Sequence, residues 1–155
     1  MDGGCSCGAV RYRLTGKPLF VHCCHCRHCQ RETGSAFAHN GMIESDRIEV
    51  TRGMPAVFDL PTASGKGQRV RRCSDCGVAL WSTYGGPGPL VSFVKIATLD
   101  EPDRFPPQAH MFTASTAEWM VLPDGVPAAV GYYDRESLWP KASLERLAKL
   151  LAGQT

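Results

Sequence analysis

Three cysteine clusters decide how this chain is read: Gly4-Cys5-Ser6-Cys7-Gly8, Cys23-Cys24-His25-Cys26-Arg27-His28-Cys29, and Cys73-Ser74-Asp75-Cys76-Gly77. Together they hold all eight cysteines of the 155-residue chain. Neighbours in a C-x-C or C-x-x-C pair bridge to each other poorly, but they aim two thiolates at one ion. Zinc takes four such ligands in a tetrahedron, with Zn–S near about 2.3 Å. Counting ligands, Cys5, Cys7, Cys73 and Cys76 could close one four-thiolate site, and a filled shell is structural. Cys24, Cys26 and Cys29 supply three more, which leaves one position for a water or a substrate. A histidine from His22, His25, His28 or His39 could instead complete a second closed site. Cys23 is left over; in an extended segment it faces away from Cys24 and reads as a small buried thiol. Disulfides and iron–sulfur clusters are the other uses of so many thiols.

Working outward, the composition fits a soluble globular protein of one domain. Hydrophobic residues make up 43% and charged residues 21%, which is ordinary. The net charge of +2 is too small to draw the chain to nucleic acid or to a membrane surface. No apolar run is long enough to span a bilayer. The first residues show no basic segment followed by an apolar one, so no secretory signal is expected, and a reducing, cytoplasmic setting favours metal-bound thiols over disulfides.

Short strands dominate the rest. Ala9–Leu14, Leu19–Cys23 and Arg47–Thr51 read as strands, as do the shorter 36–38, 41–43, 79–81 and 109–112; Ala56–Leu60 precedes a loop at 61–67, and Gln68–Arg72 leads into the Cys73/Cys76 turn. Leu90–Leu99, rich in β-branched residues and preceded by Gly85-Gly86-Pro87-Gly88-Pro89, is the strongest strand of all. Cys26–Glu32 reads as a short helix ended by Gly34. Pro140–Leu151 reads as a terminal helix, with Leu144, Leu147, Leu150 and Leu151 on one stripe. The basic run Arg69, Arg71, Arg72 reads as a solvated strand face. The spacing therefore predicts one mainly β domain over residues 1–155, pinned by metal.

These motifs resemble those of the glutathione-dependent formaldehyde-activating enzyme family. The resemblance is carried by Gly4-Cys5-Ser6-Cys7-Gly8-Ala9-Val10-Arg11-Tyr12, by Cys24-His25-Cys26-Arg27-His28-Cys29-Gln30-Arg31 with Thr33-Gly34-Ser35-Ala36-Phe37, and by Cys73-Ser74-Asp75-Cys76-Gly77-Val78-Ala79-Leu80. Leu99-Asp100, His110-Met111-Phe112 and Trp119 are similar to its later landmarks. The likeness covers about residues 3–119, leaving 120–155 as a C-terminal extension. It implies a β-tent fold of two short-stranded antiparallel sheets. It also implies two zinc ions per chain, a structural one on Cys5, Cys7, Cys73 and Cys76 and a second, open one on Cys24, Cys26 and Cys29. The family's namesake reaction joins formaldehyde to glutathione, a carbon–sulfur lyase reaction in reverse. A distant relative, centromere protein V, is chromatin-associated, so sharing the fold does not fix the activity.

Two kinds of function follow as expectations. In the first, a small-molecule thiol such as glutathione is held as thiolate and attacks an aldehyde. Thr33, Gly34 and Ser35 would then bind a substrate carboxylate, or else simply end the helix. His110 would shuttle a proton, or else be a hydrogen-bonded strand histidine. Trp81 and Trp119 would be core, or else substrate wall. In the second, the chain is a non-catalytic zinc module that binds a thiol, a peptide or a protein.

Overall fold

In a computed structural model, which describes residues 1–85 and 88–153, the chain forms two sheets and three α-helices. The strands are β1 (Asp2–Gly4), β2 (Arg11–Leu14), β3 (Phe20–Cys24), β4 (Ala38–Glu44), β5 (Ile48–Arg52), β6 (Ala56–Leu60), β7 (Gln68–Arg72), β8 (Ala79–Tyr84), β9 (Gly88–Lys95) and β10 (Ala109–Met111). The helices are α1 (Arg27–Thr33), α2 (Arg135–Leu138) and α3 (Lys141–Ala152). One sheet has the order β1-β2-β5 and the other β10-β3-β4-β9-β8-β7-β6. The fold is mainly β, as expected. Among the described strands all pairings are antiparallel except β10 against β3, which run parallel. Gly86, Pro87, Gln154 and Thr155 lie outside the described residues.

Side-chain alternation explains why the large sheet is buried on both faces. Along β3, β4 and β9, Phe20, Met42 and Phe93 enter one apolar cluster, while Val21, Ile43 and Val94 enter another. Successive strand residues point to opposite faces, so each strand serves two cores. The small sheet covers the second face with Tyr12 and Leu14; the Tyr12 phenol pairs with the Thr98 hydroxyl at 2.7 Å. The C-terminal segment covers the first face. Trp139 stacks on Phe20 at 5.4 Å between centroids, and Tyr133 and Leu147 complete that core. Arg146 of α3 locks the helix down by bonding Glu44 of β4 at 2.9 and 2.6 Å.

Several sequence expectations are adjusted. The pieces expected at 36–38 and 41–43 give way to the single strand β4, which starts only at Ala38 and runs to Glu44. The predicted strand Leu90–Leu99 stops at Lys95 and turns into a 3-10 segment, Ile96–Thr98. The basic run is only partly a solvated face. Arg69 makes a surface pair with Asp59, but Arg72 reaches the buried carboxylate of Glu32, and Arg71 lies over the Trp81 ring at 5.9 Å.

Candidate metal centres and the adjoining cavity

Two matching turns build the first cysteine group. In one, the Gly8 N–H donates to the Cys5 carbonyl and the Cys5 N–H to the Val10 carbonyl, both at 3.1 Å. In the other, Gly77 bonds Cys73 and Cys73 bonds Val78 at 2.9 and 3.0 Å. Gly8 and Gly77 sit at φ 74° and 73°, a region that disfavours any residue with a side chain. Each turn thereby folds its thiols to one side. The four Sγ atoms lie within 4.8 Å of one another, with Cys5–Cys7 at 3.5 Å and Cys7–Cys73 at 3.7 Å. Four sulfurs about 2.3 Å from a tetrahedral centre stand about 3.8 Å apart, so the group fits a metal ion. Burial alone would push the Cys5 thiol up, but the Val10 N–H, at 3.2 Å, and the neighbouring thiols hold it down, to about 6.

Cys24, Cys26 and Cys29 form the second group, again with all three Sγ atoms within 4.8 Å. Cys24 ends β3, Cys26 caps α1, and Cys29 lies in its first turn. The Cys26 sulfur accepts from the Cys29 N–H at 3.4 Å, as an N-cap side chain does. Hydrogen bonds from Cys24 and Cys29 push the Cys26 thiol down, while Cys24 is pushed up in return. Three thiols crowded together in this way suit a cation. Both groups can therefore hold metal ions.

No histidine joins either group among the described residues. His22 Nδ1 is paired with the Tyr133 phenol at 2.9 Å. His25 points to the opposite face, its Nε2 at 2.9 Å from His110 Nδ1. His28 Nε2 lies 2.6 Å from Gln68 Oε1, and His39 faces the Phe105 carbonyl. A fourth histidine ligand is thus not assembled. Cys23 is buried, and burial pushes its thiol up to about 12. Its register partners are His39 and His110, so it faces away from the triad.

A cavity of about 550 Å³ opens beside the triad. Its floor is Cys24, Cys26 and Cys29. Phe93, Met111, Phe112, Tyr84 and Tyr132 form apolar walls, and residues 62–67 close one side. Arg27 and Lys66 line it, but among the described residues no carboxylate does. Phe112 holds φ 56°, unusual for a bulky residue, and its ring meets Tyr132 edge-on at 6.0 Å. Burial pushes the Tyr84 phenol above its usual range.

The structure does not bring Thr33, Gly34 and Ser35 to this cavity. The Thr33 hydroxyl donates to the Cys29 carbonyl at 2.8 Å, and Gly34 ends α1 at φ 63°. Thr33 and Ser35 border a separate cavity that adjoins Cys76. His110 is buried on β10 and is absent from the lining of the triad cavity. Trp81 is core, whereas Trp119 is 78% exposed. Sequence reasoning missed Tyr84, Gln68, Lys66 and the aromatic walls, because single residues at strand ends and in loops carry no motif.

Comparison with known proteins agrees with this geometry. The sequence profile described as glutathione-dependent formaldehyde-activating enzyme matches residues 1–115. Relatives carrying that family's name occur in Talaromyces marneffei (28% identical over 79% of this chain and 65% of the relative), Penicillium rubens (27%, 74% and 60%) and Halomonas elongata (28%, 79% and 80%). The match thus spans less than two thirds of the two fungal relatives. A solved Rhodobacter sphaeroides protein shares the fold, with a TM-score of 0.50 and 22% identity over 64% of this chain and 88% of that one. With both cysteine groups inside the matched span, the chain belongs to the glutathione-dependent formaldehyde-activating enzyme family.

Proposed function

We propose that the chain is a zinc-dependent enzyme of the carbon–sulfur lyase type, which makes or breaks the adduct of a small thiol and an aldehyde. The observation that carries this reading is a group of three thiols, with no fourth protein ligand among the described residues, flooring a cavity of about 550 Å³. Cys5, Cys7, Cys73 and Cys76 would hold a structural zinc, and Cys24, Cys26 and Cys29 a second one. When bound, the second ion would make an incoming thiol a thiolate at neutral pH. The protein's own residues supply the rest. Arg27 and Lys66, with no opposing carboxylate in the lining, favour an anionic thiol such as glutathione. The aromatic walls keep water from the adduct. A thiol and an aldehyde held side by side gain the advantage of proximity. The family names of the relatives point to glutathione and formaldehyde as the pair.

The test uses protein purified anaerobically with its metal counted by native mass spectrometry. Labelled formaldehyde and glutathione are then followed by exchange NMR, and cobalt-substituted protein reports thiol binding by its sulfur-to-metal absorption. Two zincs, a thiol-dependent spectral change and adduct exchange faster than in buffer are expected. A spectral change without faster exchange would replace the enzyme by a thiol-binding module. No spectral change with any thiol would overturn the reading.

A further inference from the structure

Above the triad, three polar side chains form a directed hydrogen-bond chain. Gln68 sits at the start of β7 and Tyr84 at the end of β8, directly opposite in register. His28 reaches them from α1. Gln68 Oε1 can only accept, so His28 Nε2 donates to it, at 2.6 Å. The Gln68 amide nitrogen then donates to the Tyr84 phenol oxygen at 2.8 Å. With that oxygen already accepting, its hydrogen is left for another partner; the Ser82 hydroxyl is its neighbour on the same strand face, but no hydrogen bond joins the two among the described residues. Tyr84 and the three cysteines border the same cavity. The Tyr84 ring is held edge-on by Phe93 at 4.9 Å, and Gln68 is 3% exposed, so the direction of the phenol is fixed by packing as well.

We propose that Tyr84 is a catalytic residue that donates its phenol hydrogen bond to the aldehyde oxygen, with Gln68 and His28 as positioning residues that set its polarity. This rests on the proposed thiol–aldehyde reaction. In that step the thiolate sulfur forms the carbon–sulfur bond and the C=O π pair moves onto oxygen. The oxygen is stabilised by the Tyr84 hydrogen bond and is protonated by water. The proton released when the thiol ionised balances the proton taken up, so thiol plus aldehyde gives the hydroxymethyl thioether. In reverse, the same donor holds the oxygen as the carbon–sulfur bond breaks.

Tyr84→Phe removes the hydroxyl and keeps the ring. Loss of one such donor lowers turnover by about 100-fold, and the KM for thiol should change less than twofold. Zinc content should stay at the parent value, and the melting temperature should fall by only a few degrees as the buried Gln68 amide loses its acceptor. Gln68→Glu accepts from both neighbours and turns the phenol hydrogen away from the cavity; it should lower turnover nearly as far. A second readout needs no turnover. The parent protein should bind the formaldehyde–glutathione adduct about 10-fold more tightly than S-ethylglutathione, an isostere without the hydroxyl, and Tyr84→Phe should bind the two alike. A parent that is active while Tyr84→Phe retains full activity and discrimination would overturn the role of Tyr84 and leave the proposed function standing. A parent that neither exchanges nor binds the adduct would overturn both.

Discussion

Replacing Cys73 by serine asks whether the first thiol group is a long-range cross-link. Cys73 is buried, and its sulfur stands 3.7 Å from that of Cys7, 66 residues away in sequence. An ion gripping both ends closes a loop of that length. The chain-entropy relation used for disulfides puts such a closure at about 4 kcal/mol at 25 °C. The second group spans only Cys24 to Cys29, and the same relation gives about 2 kcal/mol for so short a loop. In a domain of this size about 1 kcal/mol moves the melting temperature by about 2–4 °C. Cys73→Ser should therefore lower it by about 8–16 °C, and Cys26→Ser by about 4–8 °C. Scanning calorimetry on metal-counted protein reads both, and a strong chelator should take the parent to at least the Cys73→Ser value. Two results would refute the reasoning. A Cys73→Ser melt within about 3 °C of the parent would mean that packing, not an ion, joins the two turns. Equal losses for Cys73→Ser and Cys26→Ser would mean that the second group is structural too.

Three further perturbations follow from the packing. Arg146→Ala leaves the Glu44 carboxylate, 6% exposed, with only the longer pair to Arg47 at 3.4 Å, and should cost about 2 kcal/mol in urea unfolding, less than a fully buried pair because Arg146 is 30% exposed and Arg47 remains. Burial works against the charge on Glu44, but Arg146 outweighs it and holds the carboxyl below its usual 4.5. A carboxyl depressed in the fold stabilises above its unfolded value and loses that stability as pH falls through the folded one. The gap between parent and Arg146→Ala should thus be steady at neutral pH and close below 4.5. Glu32→Gln leaves the 9%-exposed Lys95 without its carboxylate at 2.8 Å; it should cost about 3 kcal/mol, most of it recovered in the Glu32→Gln, Lys95→Met double variant. Gly53→Ala would put a Cβ 2.2 Å from the Ala9 carbonyl at φ 66°, costing about 1–3 kcal/mol and speeding amide exchange along β2 and β5.

The parts of this molecule that could be read from sequence are those with local causes. Alternation alone placed β2 and β5, and the Gly34 stop placed the end of α1. β1 was illegible for a physical reason. Its Gly3 and Gly4 have little strand preference, yet a Cβ at Gly3 would collide with the Thr98 carbonyl at 2.6 Å and the Tyr12 ring at 2.8 Å. The glycines are there for close approach, which only the tertiary structure reveals. The helix α2 has four residues, too few for a period. The cysteine groups were legible because two chelating residues must lie near each other in sequence. The cavity was not, because its walls come from β3, β4, β9, β10 and the loop at 62–67, elements that share no local pattern.

That no histidine joins the three thiols of the second group among the described residues follows from strand parity. Along β3, Cys24 shares a face with Phe20 and His22, and the neighbouring Cys23 faces the other way. His25, just past the strand, also points there, toward His110. Two of the nearest candidates for a fourth ligand are thereby removed by geometry alone. His22 has the right parity, but Tyr133 from the C-terminal segment holds its Nδ1. His28 lies on α1 between Cys26 and Cys29, where the helical turn swings it off the line joining them, and Gln68 takes its Nε2. Each imbalance that keeps a histidine from the triad also uses that histidine elsewhere. His22 anchors the segment that carries Tyr132 into the cavity wall, and His28 orients Gln68 beneath Tyr84. The histidines nearest the triad instead shape what enters the cavity.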